Sequence, residues 1–289
     1  MIAVLILAHH SPDLLGRLVK RLESYGAQCF IHIDAKVDIA PFRAACSASS
    51  PIFVKPRKRV TWGGFSLVAA TLSLLSAAIS DTRFTHFVLI SGDSYPIKPR
   101  EQFRQLVMRP FEQLEHRVIP STSPMYKRIT ETYFPETFVH FAPDEAGNSA
   151  AQPRVSKTTL MQVKRIHKMK QQGFPWRYAK GGQWWSLTAE TARHCMDVIG
   201  REPELMKWFA YSAVPDEALF QTILENFGLF RIGAGMPVYT VWDGTAHPLE
   251  FSDPDHFEKL KRAANPFARK FSLKNGAQLL DLLDHWMDT

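Results

Sequence analysis

Apolar and polar positions in the first third of the chain follow two different periods. Short runs in which nearly every residue is apolar are typical of buried strands, and the longer amphipathic stretches between them are typical of helices. A strand followed by a helix, repeated along the chain, predicts an α/β fold with a mostly parallel sheet and helices on both faces. The predicted strands are residues 2–7, 30–33, 52–54 and 87–90, and the predicted helices are residues 11–25 and 67–79.

The first predicted helix begins at a recognisable signal. Ser11 stands at the N-cap position, Pro12 at the first helical position and Asp13 in the first turn. Proline is favoured at the first helical position because its missing N–H would be unpaired there in any case. We therefore expect Ser11 to cap this helix.

The pattern changes after residue 119. Residues 120–153 contain several prolines, the sequence Gly-Asn-Ser at 147–149 and no clear period, which predicts a long loop or a lid. From Thr158 onward helical patterns dominate, interrupted at residues 180–185 and by a strand-like run at 238–242. Because no internal repeat or domain boundary is evident, we predict a single domain over residues 1–289.

The composition is that of a folded protein with a basic surface. Of the 289 residues, 45% are hydrophobic, which is enough for a substantial core. Lys and Arg outnumber Asp and Glu by 35 to 28, and the net charge of +7 favours an anionic partner such as a nucleotide, a phospholipid surface or nucleic acid. The basic clusters at residues 55–59 and 164–170 lack interleaved aromatic residues, so we interpret them as solvated surface and expect no nucleic-acid partner.

Cysteine usage and the apolar start of the chain bear on location. Cys29, Cys46 and Cys195 are odd in number and far apart, which gives neither a disulfide framework nor a metal-ligand spacing. Residues 2–8 are apolar but too few for a signal peptide or a membrane span. We expect a cytoplasmic protein whose charge is compatible with peripheral contact with an anionic membrane surface, at the inner face of the cell membrane.

Polar residues follow several of the predicted strands. They are His9, His10, His32, Asp34 and Asp93, and in open α/β sheets ligands bind beyond these carboxyl ends. The chain has neither a G-x-G-x-x-G turn nor a G-K-[ST] loop, which disfavours hydride-transfer enzymes and P-loop kinases. A common remaining use of such a sheet is nucleotide-sugar binding, in which an Asp accepts hydrogen bonds from ribose or uracil.

A metal-dependent enzyme of that type needs a pair of acids to hold a divalent ion on the diphosphate. The one Asp-x-Asp sequence, residues 253–255, is explained as a helix start with Asp253 as N-cap. Histidines at strand ends without a matched carboxylate or thiol are interpreted as structural. We expect no metal ion and no cofactor, and a metal-dependent transferase built on Asp253 and Asp255 remains the alternative.

Two clusters in the second half fit the chemistry of group transfer. Residues 215–217, Pro-Asp-Glu, open an apolar helical pattern, with the two acids on different faces of its first turn. One acid can support the helix while the other points into a cleft as a base, although spacing alone favours a structural role. Arg269 and Lys270 lie between Phe267 and Phe271, where they fit either an anionic leaving group or a surface pair anchored by core aromatics.

Seven segments of the chain together resemble one family. In the same order, they resemble motifs of the core-2/I-branching β-1,6-N-acetylglucosaminyltransferases, a family that also includes peptide O-xylosyltransferases. Several ordered motifs across nearly the whole chain are more specific than any one of them. The segments are 7–10 (LAHH), 31–36 (IHIDAK), 61–68 (TWGGFSLV), 91–98 (SGDSYPIK), 182–187 (GQWWSL), 215–217 (PDE) and 267–271 (FARKF).

The resemblance implies a GT-A fold, which is Rossmann-related, and an inverting, metal-independent transfer from a UDP-sugar. The implied partners are a UDP-sugar donor, with GlcNAc or xylose expected, and a glycan or lipid-linked glycan acceptor. We expect a nucleotide-binding half at residues 1–119 and an acceptor-binding and catalytic half at 120–289. Without the membrane anchor and cysteines of Golgi members, the chain looks like a bacterial-type relative. A non-catalytic carbohydrate- or nucleic-acid-binding protein is the alternative from another class.

The resemblance also assigns residues. The family's catalytic base falls on Glu217 and its diphosphate-binding Lys on Lys270. A second diphosphate-binding residue of the family, an Arg, has no clear counterpart because His247-Pro248 stands in that region, and Arg269 is the expected substitute. The predicted donor-binding residues are His9, Asp34, Asp93, Ser94, Arg269 and Lys270, and the predicted acceptor-binding residues are Trp184, Trp185, Asp216 and Trp242.

One motif departs from the family pattern. Members usually read Gly-x-Asp-(Phe/Tyr)-Pro, whereas residues 92–96 read Gly-Asp-Ser-Tyr-Pro, with the Asp one position earlier. Side chains one position apart on an extended segment face opposite ways. We therefore expect Ser94 rather than Asp93 at the family's donor contact, which leaves the identity of the sugar open.

Overall fold

The computed structural model describes residues 1–134, 139–140, 157–228, 231–233, 235–245 and 248–289. In chain order the strands are β1 (Ile2–Ala8), β2 (Ala27–Ile33), β3 (Ile52–Phe53), β4 (His86–Ser91), β5 (Tyr95–Pro96), β6 (Glu112–Gln113), β7 (Arg117–Val118), β8 (Tyr133–Phe134), β9 (Val139–His140), β10 (Ala179–Lys180), β11 (Trp185–Thr188), β12 (Ile232–Gly233), β13 (Val238–Thr240) and β14 (Phe267–Arg269). The helices are α1 (Pro12–Ser24), α2 (Ala40–Ala45), α3 (Phe65–Ala78), α4 (Arg100–Val107), α5 (Lys127–Thr130), α6 (Lys157–Lys170), α7 (Ala189–Arg201), α8 (Pro203–Ala210), α9 (Leu219–Phe227), α10 (His256–Arg262) and α11 (Leu273–Asp288). Pro124–Tyr126 and Pro215–Glu217 form short 3-10 helices.

The main sheet is mostly parallel, as predicted. Its spatial order is β12-β6-β11-β4-β1-β2-β3. β1 pairs in parallel with β2 and β4, and β2 pairs in parallel with β3, whereas β11 runs antiparallel to β4 and β6. Every residue of β1 is buried although alternate side chains point to opposite faces, so both faces of the sheet are covered. The result is a mixed α/β sheet flanked by helices.

The first residues of α1 and α10 differ from the sequence prediction. α1 begins at Pro12, but Ser11 has φ 55° and ψ 62° and its hydroxyl makes no capping hydrogen bond. A capping side chain normally requires an extended backbone at that position, so the expected cap at Ser11 is wrong. α10 begins at His256, two residues later than predicted, and the Asp253 carboxylate accepts a hydrogen bond from the Asp255 N–H at 2.9 Å.

The segment predicted as a loop or lid contains regular structure. Its described part holds a 3-10 turn whose start is capped by Ser123, followed by α5 and by β8 paired with β9. These elements are two to four residues long, too short to produce a detectable period in the sequence. The remainder of the predicted loop, including the Gly-Asn-Ser sequence at 147–149, lies outside the described residues.

A second, smaller sheet brings the end of the chain to β4. β14 pairs with β13 in parallel and with β5 in antiparallel orientation, so it lies against the segment that follows β4. Phe267 and Phe271 are almost fully buried, which confirms that aromatics anchor the Arg269-Lys270 pair between them. The strand predicted at 238–242 ends at Thr240, and Trp242 lies beyond it.

The three cysteines are free and buried. Within the part of the chain that the structure describes, no helix combines the length and the apolar character that crossing a lipid bilayer demands.

Candidate active site

The turn after β4 forms an ion pair with β14. Asp93 is only 4% exposed, and its Oδ1 and Oδ2 lie 3.3 Å from the Nε and Nη2 atoms of Arg269. Ser91 donates a hydrogen bond to the same carboxylate and accepts one from Arg269 Nε at 3.0 Å. Burial favours the neutral form of Asp93, but the Arg269 charge and these hydrogen bonds outweigh it, so the pKa of Asp93 lies below its usual value.

The expectation that Asp93 and Ser94 face opposite ways is wrong. Both side chains contact the Ser91 hydroxyl, and the Ser94 and Ser91 oxygens are 2.9 Å apart. The reason is that residues 91–94 form a turn, closed by a hydrogen bond from the Ser94 N–H to the Ser91 carbonyl, rather than an extended segment. Ser94 is fully buried and offers no surface to a donor, which corrects its predicted donor contact.

Two of the other predicted donor residues interact electrostatically with Asp93. The positive charge of Lys270 helps to lower the pKa of Asp93. Partial burial and the neighbouring His10 lower the pKa of His9, against the opposing charges of Asp93 and Asp34. Because its pKa is lowered, His9 is mainly neutral at pH 7.

Asp34 is fixed by the backbone around it. The residue is 6% exposed, and its Oδ1 accepts hydrogen bonds from the N–H groups of Lys36 at 2.9 Å and Val60 at 3.3 Å. The imidazole Nε2 of His32 accepts a hydrogen bond from the Lys58 N–H at 2.8 Å, so this strand-end histidine is structural, as predicted.

A second charge cluster surrounds Glu217. Its carboxylate is 33% exposed, and its Oε2 lies 3.1 Å from Arg128 Nη1 and 3.3 Å from Lys180 Nζ. The short helix that carries Glu217 is held from both sides, because the Val214 N–H donates to the Gly63 carbonyl and the Glu217 carbonyl accepts from Gly181 N–H, each at 2.8 Å. Val214 has φ 52° and ψ 52°, a left-handed conformation that is uncommon for a β-branched residue and is often found near functional sites.

Asp216 and Glu217 lie in different environments, as their predicted positions on the turn require. The Oδ1 atom of Asp216 is buried and has no hydrogen-bond partner among the described residues. Burial, followed by the charge of Glu217, raises the pKa of Asp216 to about 7, against the smaller effects of Arg128 and Lys180. As a residue Asp216 is half-buried, and its predicted role in binding an acceptor stays a prediction.

The three tryptophans that were predicted to bind the acceptor differ in their exposure to solvent. Trp185 is fully buried, with its ring 4.9 Å from that of Phe220, so it is a core residue and its predicted acceptor contact is wrong. Trp184 is 8% exposed, and the Arg269 guanidinium lies over its ring at 5.1 Å. Trp242 is 62% exposed and keeps a free aromatic surface.

The sequence did not identify Arg128 and Lys180 as neighbours of Glu217. Arg128 lies in the segment interpreted as a loop and contacts Glu217 across 89 positions, so no local pattern connects the two. Lys180 lies in residues 180–185, where the sequence pattern did indicate an interruption between helices. Lys170 was interpreted as solvated with its cluster but is only 3% exposed, so that interpretation is wrong for this residue.

The described side chains offer no evident metal site. No group of three or more His, Cys, Asp or Glu side chains in the described ranges could hold a metal ion. Asp253, the first acid of the Asp-x-Asp sequence, is engaged with the Asp255 N–H. His247, which stands where the family has its second diphosphate-binding Arg, lies outside the described residues.

Comparison with protein families gives a match over most of the chain. The family model described as Core-2/I-Branching enzyme matches residues 2–259. A search of the curated proteins found no match.

Proposed function

Because the chain belongs to the Core-2/I-Branching enzyme family of glycosyltransferases, we propose that it transfers a sugar from a UDP-sugar to a glycan hydroxyl, with inversion and without a divalent metal ion. The mixed α/β sheet is consistent with the GT-A-like fold of this family. The observation that carries the proposal is the arrangement of two charge clusters along residues 180–184. Lys180 contacts Glu217, and Trp184 contacts Arg269.

The Arg269 cluster supplies the positive charge for a departing diphosphate. Arg269 is held by Asp93, by Ser91 and by the face of Trp184, so its guanidinium needs little reorganisation when charge develops on a ligand. Lys270 adds a second cation next to it. One cation about 4 Å from a phosphate oxygen contributes on the order of 4 kcal/mol at an effective dielectric constant near 20. That energy is large enough to lower a transfer barrier substantially.

The residues at the carboxyl ends of β1 and β2 complete the proposed donor site. The charges of Asp34 and Asp93 both act on His9, and the fixed carboxylate of Asp34 suits a ribose or uracil group. In this arrangement Asp93 acts through Arg269, whose position it fixes. GlcNAc or xylose is the proposed donor sugar.

Glu217 is the proposed catalytic base. It removes the proton from an acceptor hydroxyl as that oxygen attacks the anomeric carbon from the face opposite UDP. Arg128 and Lys180 both contact Oε2, which fixes the orientation of the carboxylate before the acceptor binds. The exposed ring of Trp242 is a suitable surface on which a glycan or lipid-linked glycan acceptor can stack.

Replacing the base tests this proposal. We expect Glu217→Gln to lower kcat by roughly 10²- to 10⁴-fold, the usual contribution of a general base. Its affinity for UDP should stay close to that of the wild type, because Glu217 contacts Arg128 and Lys180 rather than the Arg269 cluster. The measurements are kcat with the UDP-sugar that gives the highest turnover in a donor screen, and UDP binding by calorimetry.

Glu225→Gln is the matched control for that variant. Glu225 lies on α9, where its carboxylate pairs with Arg177 at 2.7 Å, so the same isosteric change removes an ion pair outside the proposed site. Wild-type kcat in Glu225→Gln together with lost turnover in Glu217→Gln supports the assignment. Turnover in Glu217→Gln that matches the wild type, or no transfer with any donor, contradicts the proposed function.

A further inference from the structure

A buried lysine joins two segments beside the proposed base. Lys170 ends α6 and is 3% exposed. Its ammonium has three N–H donors and lies within hydrogen-bonding distance of three backbone carbonyls and one hydroxyl. The acceptors are the carbonyls of Ile129 at 2.9 Å, Glu131 at 2.9 Å and Tyr211 at 2.7 Å, and the Ser212 Oγ at 2.9 Å.

The two joined segments carry the groups that hold Glu217. Residues 129 and 131 lie in and just after α5, the helix that contains Arg128, and residues 211–212 lead through Val214 into the helix of Glu217. Two backbone hydrogen bonds also connect these segments, from the Ala213 N–H to the Arg128 carbonyl at 3.0 Å and from the Tyr133 N–H to the Tyr211 carbonyl at 2.9 Å. The ammonium therefore lies where the position of Arg128 relative to Glu217 is determined.

Placing a charge at this point is unfavourable for folding alone. Burial lowers the pKa of Lys170 to about 7, against the opposing charge of Glu131. Desolvation of a buried ammonium opposes folding and is offset only as far as its hydrogen bonds compensate it. What the ammonium provides instead is a set of charge-assisted hydrogen bonds with defined geometry.

We propose that Lys170 is a positioning residue for the catalytic base. Its hydrogen bonds fix α5 against residues 211–214, so that the Arg128 guanidinium meets Glu217 Oε2 in the orientation needed for proton transfer. This inference rests on the proposed function of Glu217. It means that turnover also depends on a residue that does not contact the substrate.

Lys170→Met tests the proposal, because methionine keeps an unbranched side chain and removes every donor. We expect kcat to fall on the order of 10- to 100-fold, as small misplacements of catalytic groups produce. UDP affinity should not change, because the donor cluster is built from other segments. The matched control is Lys98→Met, since Lys98 is 5% exposed and also donates to backbone carbonyls, those of Leu260 and Lys261, at the end of α10.

Comparing Lys170→Met with Lys98→Met separates an effect on the position of the base from an effect on the stability of the protein. Both variants should unfold at lower urea concentrations, because each leaves buried carbonyls without a donor, but only Lys170→Met should lose kcat. Wild-type kcat in Lys170→Met, or a loss of kcat that follows the loss of stability equally in both variants, overturns the proposal. Should Lys170→Met fail to fold, Ser212→Ala removes one of the four acceptors; lowered kcat with unchanged UDP affinity supports the proposal, and unchanged kcat overturns it.

Glu217→Gln, assayed beside these variants, distinguishes the two levels of failure. If it is inactive while Lys170→Met turns over like the wild type, only the positioning role is wrong. If Glu217→Gln is as active as the wild type, the proposed base is wrong, and the proposed role of Lys170 is then wrong as well.

Discussion

At the scale of single residues, the unusual group is the buried carboxyl of Asp216. Its Oδ1 has no partner in the described part of the chain, and its pKa is raised to about 7 by burial and by Glu217. In the unfolded chain this carboxyl titrates near 3.8, so the folded protein binds more protons between about pH 4 and pH 7. Stability is therefore fully present below pH 4 and is lost as the pH rises through 7, by an amount on the order of 4 kcal/mol at most.

Asp216→Asn should remove this part of the pH dependence. Asparagine cannot ionise, so the free energy of unfolding should change less between pH 5 and pH 8 in the variant than in the wild type. Urea unfolding at both pH values measures the difference. Asp197→Asn, at an exposed carboxylate paired with Arg201 on α7, should keep the wild-type dependence. An equal pH dependence in the wild type and Asp216→Asn would show that Asp216 is ionised without penalty.

A motif alone does not predict which of its side chains are accessible. Glu217, Arg269 and Lys270 were assigned from a resemblance, and the structure places ionisable partners around Glu217 and Arg269. Trp185 and Ser94 belong to two other motifs of that resemblance but are fully buried, the first in a strand and the second inside a turn. A motif identifies a segment, and the backbone decides which of its side chains reach the surface.

At the scale of elements, long apolar segments were predicted and very short ones were not. β1, β2, β4, α1 and α3 follow the sequence pattern to within a few residues. Strands of two residues, such as β6, β7 and β10, have no period of their own and exist because distant segments pair with them. The sheet that carries Arg269 to Asp93 combines the predicted strand β13 with β14 and β5, which the pattern did not predict.

The first and last long helices are tied together by ion pairs. Asp284 of α11 accepts hydrogen bonds from Arg17 Nε at 2.9 Å, from Arg21 Nε at 3.0 Å and from the Tyr95 hydroxyl at 2.8 Å. Its side chain is 21% exposed, so these bonds are partly shielded from water. The network attaches α11 to α1 and to the strand that follows the Asp93 turn.

Asp284→Asn should weaken this attachment. We expect the free energy of unfolding to fall by about 1–3 kcal/mol, the usual range for hydrogen bonds to charged groups. Asp281→Asn is the control, because the Asp281 side chain is 71% exposed and its contact with Arg17 should contribute at most about 1 kcal/mol. Urea unfolding of both variants gives the comparison. Equal losses in the two variants would mean that the shielded network has no special contribution.

At the scale of the whole molecule, the site is an assembly of distant segments. Glu217 meets Arg128 across 89 positions, and Arg269 meets Asp93 across 176. The sequence predicted an α/β fold with ligands at the strand ends and, by resemblance, the base and the cations. It could not predict Arg128, Lys180 or Lys170, because their contacts depend on how the segment around α5 folds against the loop before Glu217.

In the proposed mechanism, protein cations rather than a metal ion balance the charge of the leaving diphosphate. Sugar transfer in excess EDTA, compared between the wild type and Lys270→Met, tests it most directly, with the exposed Lys274→Met as control. We expect undiminished turnover for the wild type and the control. For Lys270→Met we expect kcat to be lower by roughly 10²- to 10³-fold, and manganese should not restore it. Loss of wild-type turnover in EDTA with recovery in manganese, or a Lys270→Met enzyme as fast as the wild type, would contradict it.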